Sequence, residues 1–500
     1  MPTLRLCLSL SGGASLGAYH AGASAALLIA LEHLRDERAL DVRLDGVGGA
    51  SAGALVGLMT AFAALEGVDG CEVMQEAWVE RVSLDTLLRR GSRGPLSLED
   101  VRRELPGLLE EARRTSEGQN HPLVLHVALT GLRGLTYEIH GLRREEPIQG
   151  VSYADWKDFR LEPNAGVRQL LEPEGSSPLE TALASASHPG AFAPRVLDRR
   201  GDRPAYEAQG LSNLPRSAWL WYTDGGLVQH EPIGRLLSSA RAVDGAENDA
   251  QRLTLMVHPR SKEPSDAEEW SHREHAATWL EGLSRGLAVV SEQPLYDDLR
   301  KVERDNARLA WAEQLASALE HGLDDGVREA LCALVRDVDD DRRRQRGGAK
   351  DELPEHPPAD APLGELLRRT LAEIGGLTGK THEAVDLISP LLVSERTGRR
   401  VSDLLAGELI GDFGGFLDRE LRASDFALGY ESTLCWVRDG LGRCGLPDEA
   451  AVGAAEAVER RRPISWEDSR RGEMKERNLP WRARLGLARF LGRVARSLLR

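Results

Sequence analysis

The sequence predicts an α/β fold with a mainly parallel sheet, followed by a helical C-terminal region. Three observations support this prediction. Within the first 260 residues, short apolar segments of strand length alternate with longer segments of helix length. Two of these strand candidates run into glycine-rich turns that lead into apolar helices. After about residue 270, apolar residues recur three and four positions apart, which is typical of helices.

The N-terminal elements follow one another as strand, turn and helix. Leu4–Leu10 is an apolar run typical of a buried strand, Ser11–Gly17 is rich in glycine, and Ala18–Arg35 has the small and aliphatic residues of a packed helix. A second strand, Val42–Val47, leads to the helix Ala52–Leu65, which is apolar nearly all round and is therefore predicted to be buried. Such alternation favours a sheet covered on both faces. Further strand candidates are Leu123–Thr130, Leu135–His140, Trp219–Tyr222 and Arg252–His258.

Changes in composition divide the chain into predicted segments. Residues 337–362 contain runs of Asp and Arg, Gly347-Gly348 and four prolines, a composition that cannot bury a core and that indicates a flexible linker. Gly414-Gly415 is predicted to mark a close helix crossing rather than a ligand loop. The predicted segments are an α/β domain (1–260), a helical extension (270–336), the linker (337–362), a helical region (363–460) and a basic tail (470–500).

The composition is that of a globular protein with no nucleic-acid partner. The 500 residues are 41% hydrophobic but only 5% aromatic, and the net charge is −15, which argues against binding to a polyanion. No uninterrupted apolar stretch reaches the roughly 18 residues of a spanning helix, and the first one is too short for a signal peptide. A cytoplasmic location is expected. The cysteines are few, odd in number and not at zinc-ligand spacing, which favours a reducing compartment: Cys7, Cys71, Cys332, Cys435 and Cys444.

The pentad Gly49-Ala-Ser51-Ala-Gly53 lies between a predicted strand and an apolar helix. A sharp strand–turn–helix connection holds a serine hydroxyl clear of the backbone, and the flanking glycines permit the crowded turn. The N-terminus of the helix then points its unpaired N–H groups towards the site where negative charge would develop. In this context Ser51 is predicted to be a nucleophile; the alternative is a tight packing turn.

A second glycine turn, Ser11-Gly-Gly-Ala-Ser-Leu-Gly17, also joins a strand to a helix. A phosphate-binding P-loop would need Lys-Ser/Thr where Ala18-Tyr19 stands, and the G-x-G-x-x-G spacing of a dinucleotide site is absent. The turn could instead aim its backbone N–H groups at a developing oxyanion. A turn that merely connects the two elements is the remaining alternative.

A nucleophilic serine needs a base to take its proton. Asp224 follows a predicted strand and precedes Gly225-Gly226, which allow a close turn. His188, His230 and His258 are the other candidates. With His258, the order Ser51…Asp224…His258 is that of an α/β-hydrolase triad. However, only about 50 residues precede Ser51, fewer than the elbow of that fold requires.

These blocks resemble the motifs of the patatin-like phospholipases. The resemblance covers residues 1–260 and includes a fourth block, Ala184–Pro194, between the serine and the aspartate. It implies a three-layer α/β/α hydrolase with a Ser–Asp dyad, no catalytic histidine, no metal and no cofactor. By that resemblance, Ser51 is the nucleophile and Asp224 the base. The supporting positions are the oxyanion-hole amides of Gly12, Gly13 and Ala14, the elbow glycines Gly49 and Gly53, and the base-turn glycines Gly225 and Gly226.

The sequence departs from the family pattern at two positions of the glycine turn. Ala14 replaces a glycine, which is expected to fit if its φ is negative, and Leu16 stands where the family has Arg or Lys. The missing cation would lower the rate or change the substrate preference. His230 replaces a common asparagine after the base turn, and His20 is interpreted as a packed helix residue.

The last 20 residues, 481–500, contain six Arg and no acidic residue. Leu487, Leu491, Val494 and Leu498 are predicted to share one helical face, and Arg489, Arg493, Arg496 and Arg500 the opposite one. This pattern, with Trp481 near the start, is typical of a basic helix in an anionic membrane interface. The alternative is a helix that docks on the acidic body of the protein.

The resemblance implies a lipid acyl hydrolase of the phospholipase A or lysophospholipase type, acting on phospholipids or other fatty-acyl esters in the cytoplasm or peripherally on a membrane. Two alternatives stay open. One is a catalytically weak homologue that serves as a membrane-associated binding or regulatory module. The other is a carboxylesterase for small esters that uses the Ser51–Asp224–His258 triad.

Overall fold

The fold is described from a computed structural model of the full chain. The described residues are 3–36, 40–88, 93–139, 148–229, 233–244, 252–259, 270–271, 278–345, 358, 360–377, 384–407, 412–444, 446–463 and 481–498. By their mutual contacts they divide into two compact units. One comprises residues 1–295 and 385–500, and the other residues 296–384.

Eight strands of the described chain form one sheet in the order β5-β6-β3-β2-β1-β7-β8, with β4 paired to β3. The strands β1, β2, β3 and β7 pair in parallel, so the centre of the sheet is parallel. This arrangement confirms the predicted α/β fold, although β4, β5 and β8 were not predicted. The strands are β1 (Thr3–Leu10), β2 (Asp41–Gly49), β3 (Leu123–Ile139), β4 (Ile148–Leu161), β5 (Arg195–Asp198), β6 (Trp219–Thr223), β7 (Leu253–Val257) and β8 (Ala384–Ile388).

The helices range from single turns to a helix of 44 residues. They are α1 (Gly17–Asp36), α2 (Ala52–Glu66), α3 (Gly70–Gln75), α4 (Leu84–Leu87), α5 (Glu99–Glu110), α6 (Arg168–Leu171), α7 (Pro178–Ser185), α8 (Arg203–Ala208), α9 (Ile233–Asp244), α10 (Trp279–Gly322), α11 (Asp325–Gln345), α12 (Leu363–Ile374), α13 (Leu391–Thr397), α14 (Arg419–Gly440), α15 (Asp448–Arg460) and α16 (Trp481–Leu498). A π-helical turn, Glu76–Arg81, follows α3, and a 3-10 turn, Gly414–Leu417, precedes α14.

Helices cover both faces of the sheet. Along β2, the side chain of Val47 faces Gly57 of α2, whereas the adjacent Gly46 and Gly48 face Leu236 of α9. Because successive residues of a strand point to opposite faces, α2 and α9 must lie on opposite sides. The three-layer α/β/α arrangement is therefore present.

The helix α1 and the turn before it, Ala14–Asp36, are apolar and long enough to cross a membrane. However, 94% of the most apolar window is buried inside the protein. All of α2 is buried as well, as its apolar composition predicts. Both helices are therefore core helices of the unit that contains the sheet.

The strand β3 is much longer than its parallel partner. Only Val124–Val127 pairs with β2, and the strand then continues beyond the carboxyl end of β2. The strand β6 pairs with this extension in antiparallel fashion, with Thr223 opposite Thr130. As a result, β6 runs back towards the edge where β2 ends, and the residues after both strands meet there.

Helix α14, in the C-terminal region, crosses α1 at a contact that requires glycine on both sides. A Cβ atom on Gly22 would lie 1.9 Å from the carbonyl oxygen of Phe426, and one on Gly429 would lie 1.9 Å from that of Tyr19. The close crossing is here and not at Gly414-Gly415, which lie in a 3-10 turn. Residues 385–500 therefore complete the unit that contains the sheet.

The first part of the predicted linker is helical, which corrects the prediction at that point. Helix α11 continues to Gln345, whereas the linker was predicted to begin at residue 337. Arg and Gln favour helices, and Asp339 precedes Arg342 and Arg343 at the spacings of helical ion pairs. Residues 346–357 and 359 lie outside the described residues. The other predicted boundaries stay predictions.

The crossing of α1 and α14 predicts that alanine at Gly22 or Gly429 lowers the free energy of unfolding. Either methyl group would push the two helices apart, and overpacking of this kind costs roughly 1–3 kcal/mol. Gly107, in α5, faces open space, since a Cβ atom there would have no neighbour within 4 Å. Gly107→Ala should therefore raise stability by about 0.5–1 kcal/mol through helix propensity alone. Urea unfolding measures both; equal changes in the three variants would contradict the crossing.

Candidate active site

Ser51 lies at the end of β2 and caps α2, with φ 54° and ψ −127°. A positive φ is strained for a residue with a side chain, and this strain is typical of a nucleophile elbow. The flanking glycines are needed for space. A Cβ on Gly53 would lie 2.4 Å from the Leu10 carbonyl oxygen, and one on Gly49 would lie 2.4 Å from the Gly53 carbonyl oxygen.

The backbone of Ser51 is held by Ser185, which sequence reasoning did not single out. The Ser51 N–H donates to Ser185 Oγ at 2.9 Å, and Ser185 Oγ donates to the carbonyl oxygen of Ala128 at 2.7 Å. Ser185 is fully buried at the end of α7. It thus links the elbow to the strand β3, inside the block Ala184–Pro194 that the sequence did indicate.

The structure brings Ser51 and Asp224 into direct contact. Ser51 Oγ donates to Asp224 Oδ2 at 2.6 Å, and Gly226 N–H donates to Asp224 Oδ1 at 2.8 Å. The turn approaches β3 closely, since a Cβ on Gly225 would lie 2.1 Å from the Ala128 carbonyl oxygen. Both oxygens of the carboxylate are therefore oriented, one by the turn and one by the serine.

Burial dominates the electrostatics of Asp224. It raises the pKa of this carboxyl above the ordinary value, while the Ser51 hydroxyl, the charge of His188 and the Gly226 N–H act in the opposite direction. A carboxylate with a raised pKa is a stronger base. Asp224 is therefore better suited to take a hydroxyl proton than an exposed aspartate, whose pKa is near 3.9.

The glycine turn Gly12-Gly13-Ala14 lies next to the elbow. A Cβ on Gly53 would lie 2.4 Å from the carbonyl oxygen of Leu10 and 2.5 Å from that of Ser11, the residue just before the turn. Ala14 lines the same cavity as Ser51. Its φ is +41°, not negative as the fit of alanine was expected to require. Alanine thus occupies the left-handed region that glycine adopts without strain, at a cost of roughly 1–2 kcal/mol.

Leu16, which replaces the usual cation, is fully buried. His20 lies one helical turn further on. Its ring nitrogens contact Ser11 Oγ at 3.1 Å and the Leu16 carbonyl oxygen at 3.0 Å. The histidine therefore ties both ends of the glycine turn together, which agrees with its interpretation as a packed helix residue.

An apolar pocket opens from Ser51. Its wall includes Leu55 and Met59 from α2 and Trp78 from the π-helical turn. Trp78 lies against α1 at Gly17, where a Cβ would be 2.2 Å from the ring. Apart from Ser51, the most polar side chain that lines the pocket is that of His188. Such a pocket suits a hydrocarbon chain next to a reactive serine.

Residues of the C-terminal region also line this pocket. The sequence analysis did not predict this contribution. Phe413 and Phe416 line it together with Ser51. The buried Arg422 fastens their turn by donating to the carbonyl oxygens of Gly415, at 2.9 Å, and of Val79, at 3.0 Å. The bond from Arg422 to Val79 joins positions 343 residues apart, so no local pattern could have predicted it.

His188, His230 and His258 were the other candidates for the base, and the described contacts of His188 and His258 are with residues other than Ser51. His188 lines the pocket and its ring packs edge-on against Phe413, with centroids 5.6 Å apart. His258 follows β7, and its N–H donates to the carbonyl oxygen of Ile388 at 3.0 Å. His230 lies outside the described residues. Within the described ranges, no three His, Cys, Asp or Glu side chains are grouped to hold a metal ion.

The tail helix α16 docks beside the pocket. Phe490 stacks on Phe413 with centroids 6.4 Å apart, and Arg493 donates to the carbonyl oxygens of Pro95 and Leu88. The docked side of the helix does not follow the predicted division into an apolar and a basic face. Arg493, on the predicted basic face, contacts the protein, whereas Leu491, on the predicted apolar face, is 56% exposed.

Comparison with known proteins agrees with the motifs. Residues 8–237 match the profile of the family described as patatin-like phospholipase. The crystal structure of VipD from Legionella pneumophila is similar over 94% of this chain and 93% of that chain, with 11% sequence identity and a TM-score of 0.20. A TM-score this low carries no argument about fold or function. No curated protein matches the chain.

The raised pKa of Asp224 predicts the pH dependence of any reaction at Ser51. The carboxyl must be ionised to accept the proton, so activity should rise with pH through its pKa. That rise should lie at higher pH than for an ordinary carboxyl. His188→Asn removes a charge that lowers this pKa, so the rise should move further up. The pH profile of kcat/KM for a soluble ester tests this; a profile that is flat through the acidic range in both proteins would contradict it.

Proposed function

Since residues 8–237 belong to the patatin-like phospholipase family, we propose that this chain is a lipid acyl hydrolase that cleaves carboxylic esters through an acyl-enzyme on Ser51. The substrates are phospholipids or lysophospholipids. One observation carries the proposal: Ser51 Oγ donates a 2.6 Å hydrogen bond to the buried carboxylate of Asp224. Direct contact lets the carboxylate take the proton as the oxygen attacks.

The reaction would proceed in two steps. In the first, Ser51 Oγ attacks the ester carbonyl carbon while its proton passes to Asp224. The tetrahedral oxyanion is held by backbone N–H groups of Gly12, Gly13 and Ala14, and collapses with loss of the alcohol, which takes the proton from Asp224. In the second, Asp224 activates water to hydrolyse the acyl-enzyme, which releases the fatty acid and restores the serine. Each backbone donor contributes about 10²–10³ in rate.

The dyad supports this proposal better than the alternative triad. In a triad the serine donates to a histidine, but here the Ser51 hydroxyl donates to the carboxylate itself. His258 lies at the end of β7, two strands away from β2 in the sheet. The elbow strain and the ordered carboxylate also favour an enzyme over a binding module, because a module would not need either.

Substitution of the dyad tests the proposal. Ser51→Ala and Asp224→Asn should each lower kcat for a chromogenic fatty-acyl ester by about 10³-fold or more. His258→Ala is the control and should leave kcat within a few-fold of the original protein. If His258→Ala abolished turnover and Asp224→Asn did not, the triad would replace the dyad.

The thermal stability of Asp224→Asn separates loss of chemistry from loss of fold. A carboxyl whose folded-state pKa is raised contributes stability below its unfolded pKa of about 3.9, and loses it as the pH rises through the folded value. At neutral pH, Asp224→Asn should therefore melt no lower than the original protein, as measured by circular dichroism. A lower melting temperature would indicate that the carboxylate has a structural role.

The outer face of α16 supports a second part of the proposal, contact with an anionic membrane. Its inner face is docked, but Trp481 is 69% exposed and Leu485 is 44% exposed. Arg484, Arg489 and Arg496 are exposed on the same helix. Exposed arginines next to tryptophan and leucine suit an interface of anionic lipids. The protein would then act in the cytoplasm, peripherally on a membrane.

Vesicle sedimentation tests the membrane contact. The triple variant Arg484→Gln, Arg489→Gln, Arg496→Gln should bind phosphatidylglycerol vesicles on the order of 100-fold more weakly, since each arginine near such a surface contributes about 1 kcal/mol. A matched control is the triple Arg103→Gln, Arg160→Gln, Arg168→Gln, whose members are 62%, 53% and 82% exposed on the body of the protein. Equal sedimentation of the two triples would reject the contact.

A further inference from the structure

Ser15, the residue after the glycine turn Gly12-Gly13-Ala14, is fastened to the C-terminal region. Its hydroxyl donates to the carbonyl oxygen of Asp412 and accepts a hydrogen bond from the N–H of Gly415 at 3.0 Å. These partners lie 397 and 400 residues further along the chain, in the turn 412–417 that precedes α14. Ser15 is fully buried, so water does not compete for either bond. The two bonds, the Ser15 clamp, thus join the glycine turn to the turn 412–417.

The turn 412–417 approaches Ser15 closely and is itself fixed. A Cβ atom on Gly415 would lie 2.8 Å from Ser15 Oγ and 3.0 Å from Ser15 Cβ, so only glycine allows this approach. The carbonyl oxygen of Gly415 accepts a hydrogen bond from Arg422 of α14 at 2.9 Å. Gly415 is therefore held by α14 on one side and holds Ser15 on the other.

A strained residue lies on the other side of the clamp. Ala14 has a φ of +41°. Alanine is disfavoured in this region by a factor of roughly 5–30 in its conformational equilibrium, and such a conformation persists only where its surroundings impose it. One hydrogen bond contributes a factor of about 2–10. The two bonds of the clamp are therefore together large enough to offset the strain.

Other bonds fix the glycine turn on the side of α1. The Leu16 N–H donates to the carbonyl oxygen of Gly13 at 2.7 Å, and His20 contacts Ser11 Oγ and the Leu16 carbonyl oxygen. The clamp fixes the turn on the opposite side. Because Ser15 directly follows Ala14, the clamp also fixes the peptide group between the two residues.

We propose that Ser15 is a positioning residue, whose clamp to the turn 412–417 holds Ala14 in its strained conformation and so directs the N–H groups of the glycine turn at the oxyanion. The inference rests on the proposed function, since it concerns the oxyanion hole of the same nucleophile, Ser51. Without the clamp, Ala14 relaxes to a negative φ. This change rotates the peptide groups on its two sides relative to each other, and a donor no longer points at the developing charge.

Loss of the clamp should lower kcat and leave KM nearly unchanged. Oxyanion donors act on the charge that develops in the transition state, and only weakly on the neutral carbonyl group of the bound ester. Ser15→Ala should therefore lower kcat for p-nitrophenyl butyrate by about tenfold or more, up to the 10²–10³ that one lost donor costs. KM should stay within about twofold of the original value.

Ala14→Gly separates positioning from a general structural role. Glycine adopts a positive φ without strain, so the turn no longer depends on the clamp. In the Ala14→Gly background, Ser15→Ala should therefore lower kcat by no more than about threefold. Gly415→Ala displaces Ser15 from the other side and should behave as Ser15→Ala does in both backgrounds. It answers the question if Ser15→Ala fails to fold, as judged by circular dichroism.

Thr433→Val is the matched control. Thr433 of α14 is also buried and also joins the C-terminal region to the N-terminal one, since its hydroxyl donates to the carbonyl oxygen of Ala23 at 3.2 Å. Its loss should lower the melting temperature but leave kcat within about twofold of the original value. Full kcat in Ser15→Ala and Gly415→Ala would overturn the clamp, as would equal losses in the alanine and glycine backgrounds or an equal loss in Thr433→Val.

The proposed function and the clamp fail in different ways. If the original protein cleaved no ester, the proposed function would fail, and the inference about Ser15 with it. The outcomes that overturn the clamp alone leave the original protein active.

Discussion

The site depends on one hydrogen bond between residues that are far apart in the sequence. Ser51 Oγ and Asp224 Oδ2 lie 2.6 Å apart because β3 extends beyond β2 and offers its free edge to β6. The antiparallel strand then ends where the parallel strand ends. Ser185 and Gly225 both lie against Ala128 of β3, so the elbow and the base turn are built on the same short piece of strand. A shift of β6 by one residue would turn its side chains to the opposite face and separate the pair.

The same contact carries an energetic cost. Asp224 is buried, which raises its pKa, and burial of a carboxylate is unfavourable unless hydrogen bonds compensate for it. Only the Gly226 N–H and the Ser51 hydroxyl donate to it among the bonds described. Additional hydrogen bonds to the carboxylate would lower its pKa and make Asp224 a weaker base. The C-terminal region forms one side of the pocket, since Phe413 and Phe416 line it and Arg422 fixes their turn. The helical region is thus part of the site, although it lies outside the residues that match the family.

Local sequence patterns predicted the first elements and the motif residues, because the residues that form each of these patterns are neighbours in the sequence. The apolar run Leu4–Leu10, the glycine turn and the pentad around Ser51 each lie within a few residues. The pairing of Ser51 with Asp224 was predicted only through the resemblance to a family. Phe413, Arg422 and Ser185 were missed because their roles come from contacts across the fold. The positive φ of Ala14 and the docked side of α16 were not predicted, for the same reason: backbone strain and burial are set by the neighbours. Ala14 has a φ of +41°, in the region that favours glycine, and Arg493 packs against the protein where apolar periodicity places a solvent-facing charge.

Active-site labelling with a fluorophosphonate tests the central claim most directly, because the reagent modifies only a serine whose hydroxyl is activated. Mass spectrometry of the labelled protein should locate the adduct on Ser51, and Asp224→Asn should suppress its formation while His258→Ala does not. An adduct on any other serine, or undiminished labelling of Asp224→Asn, would contradict the dyad.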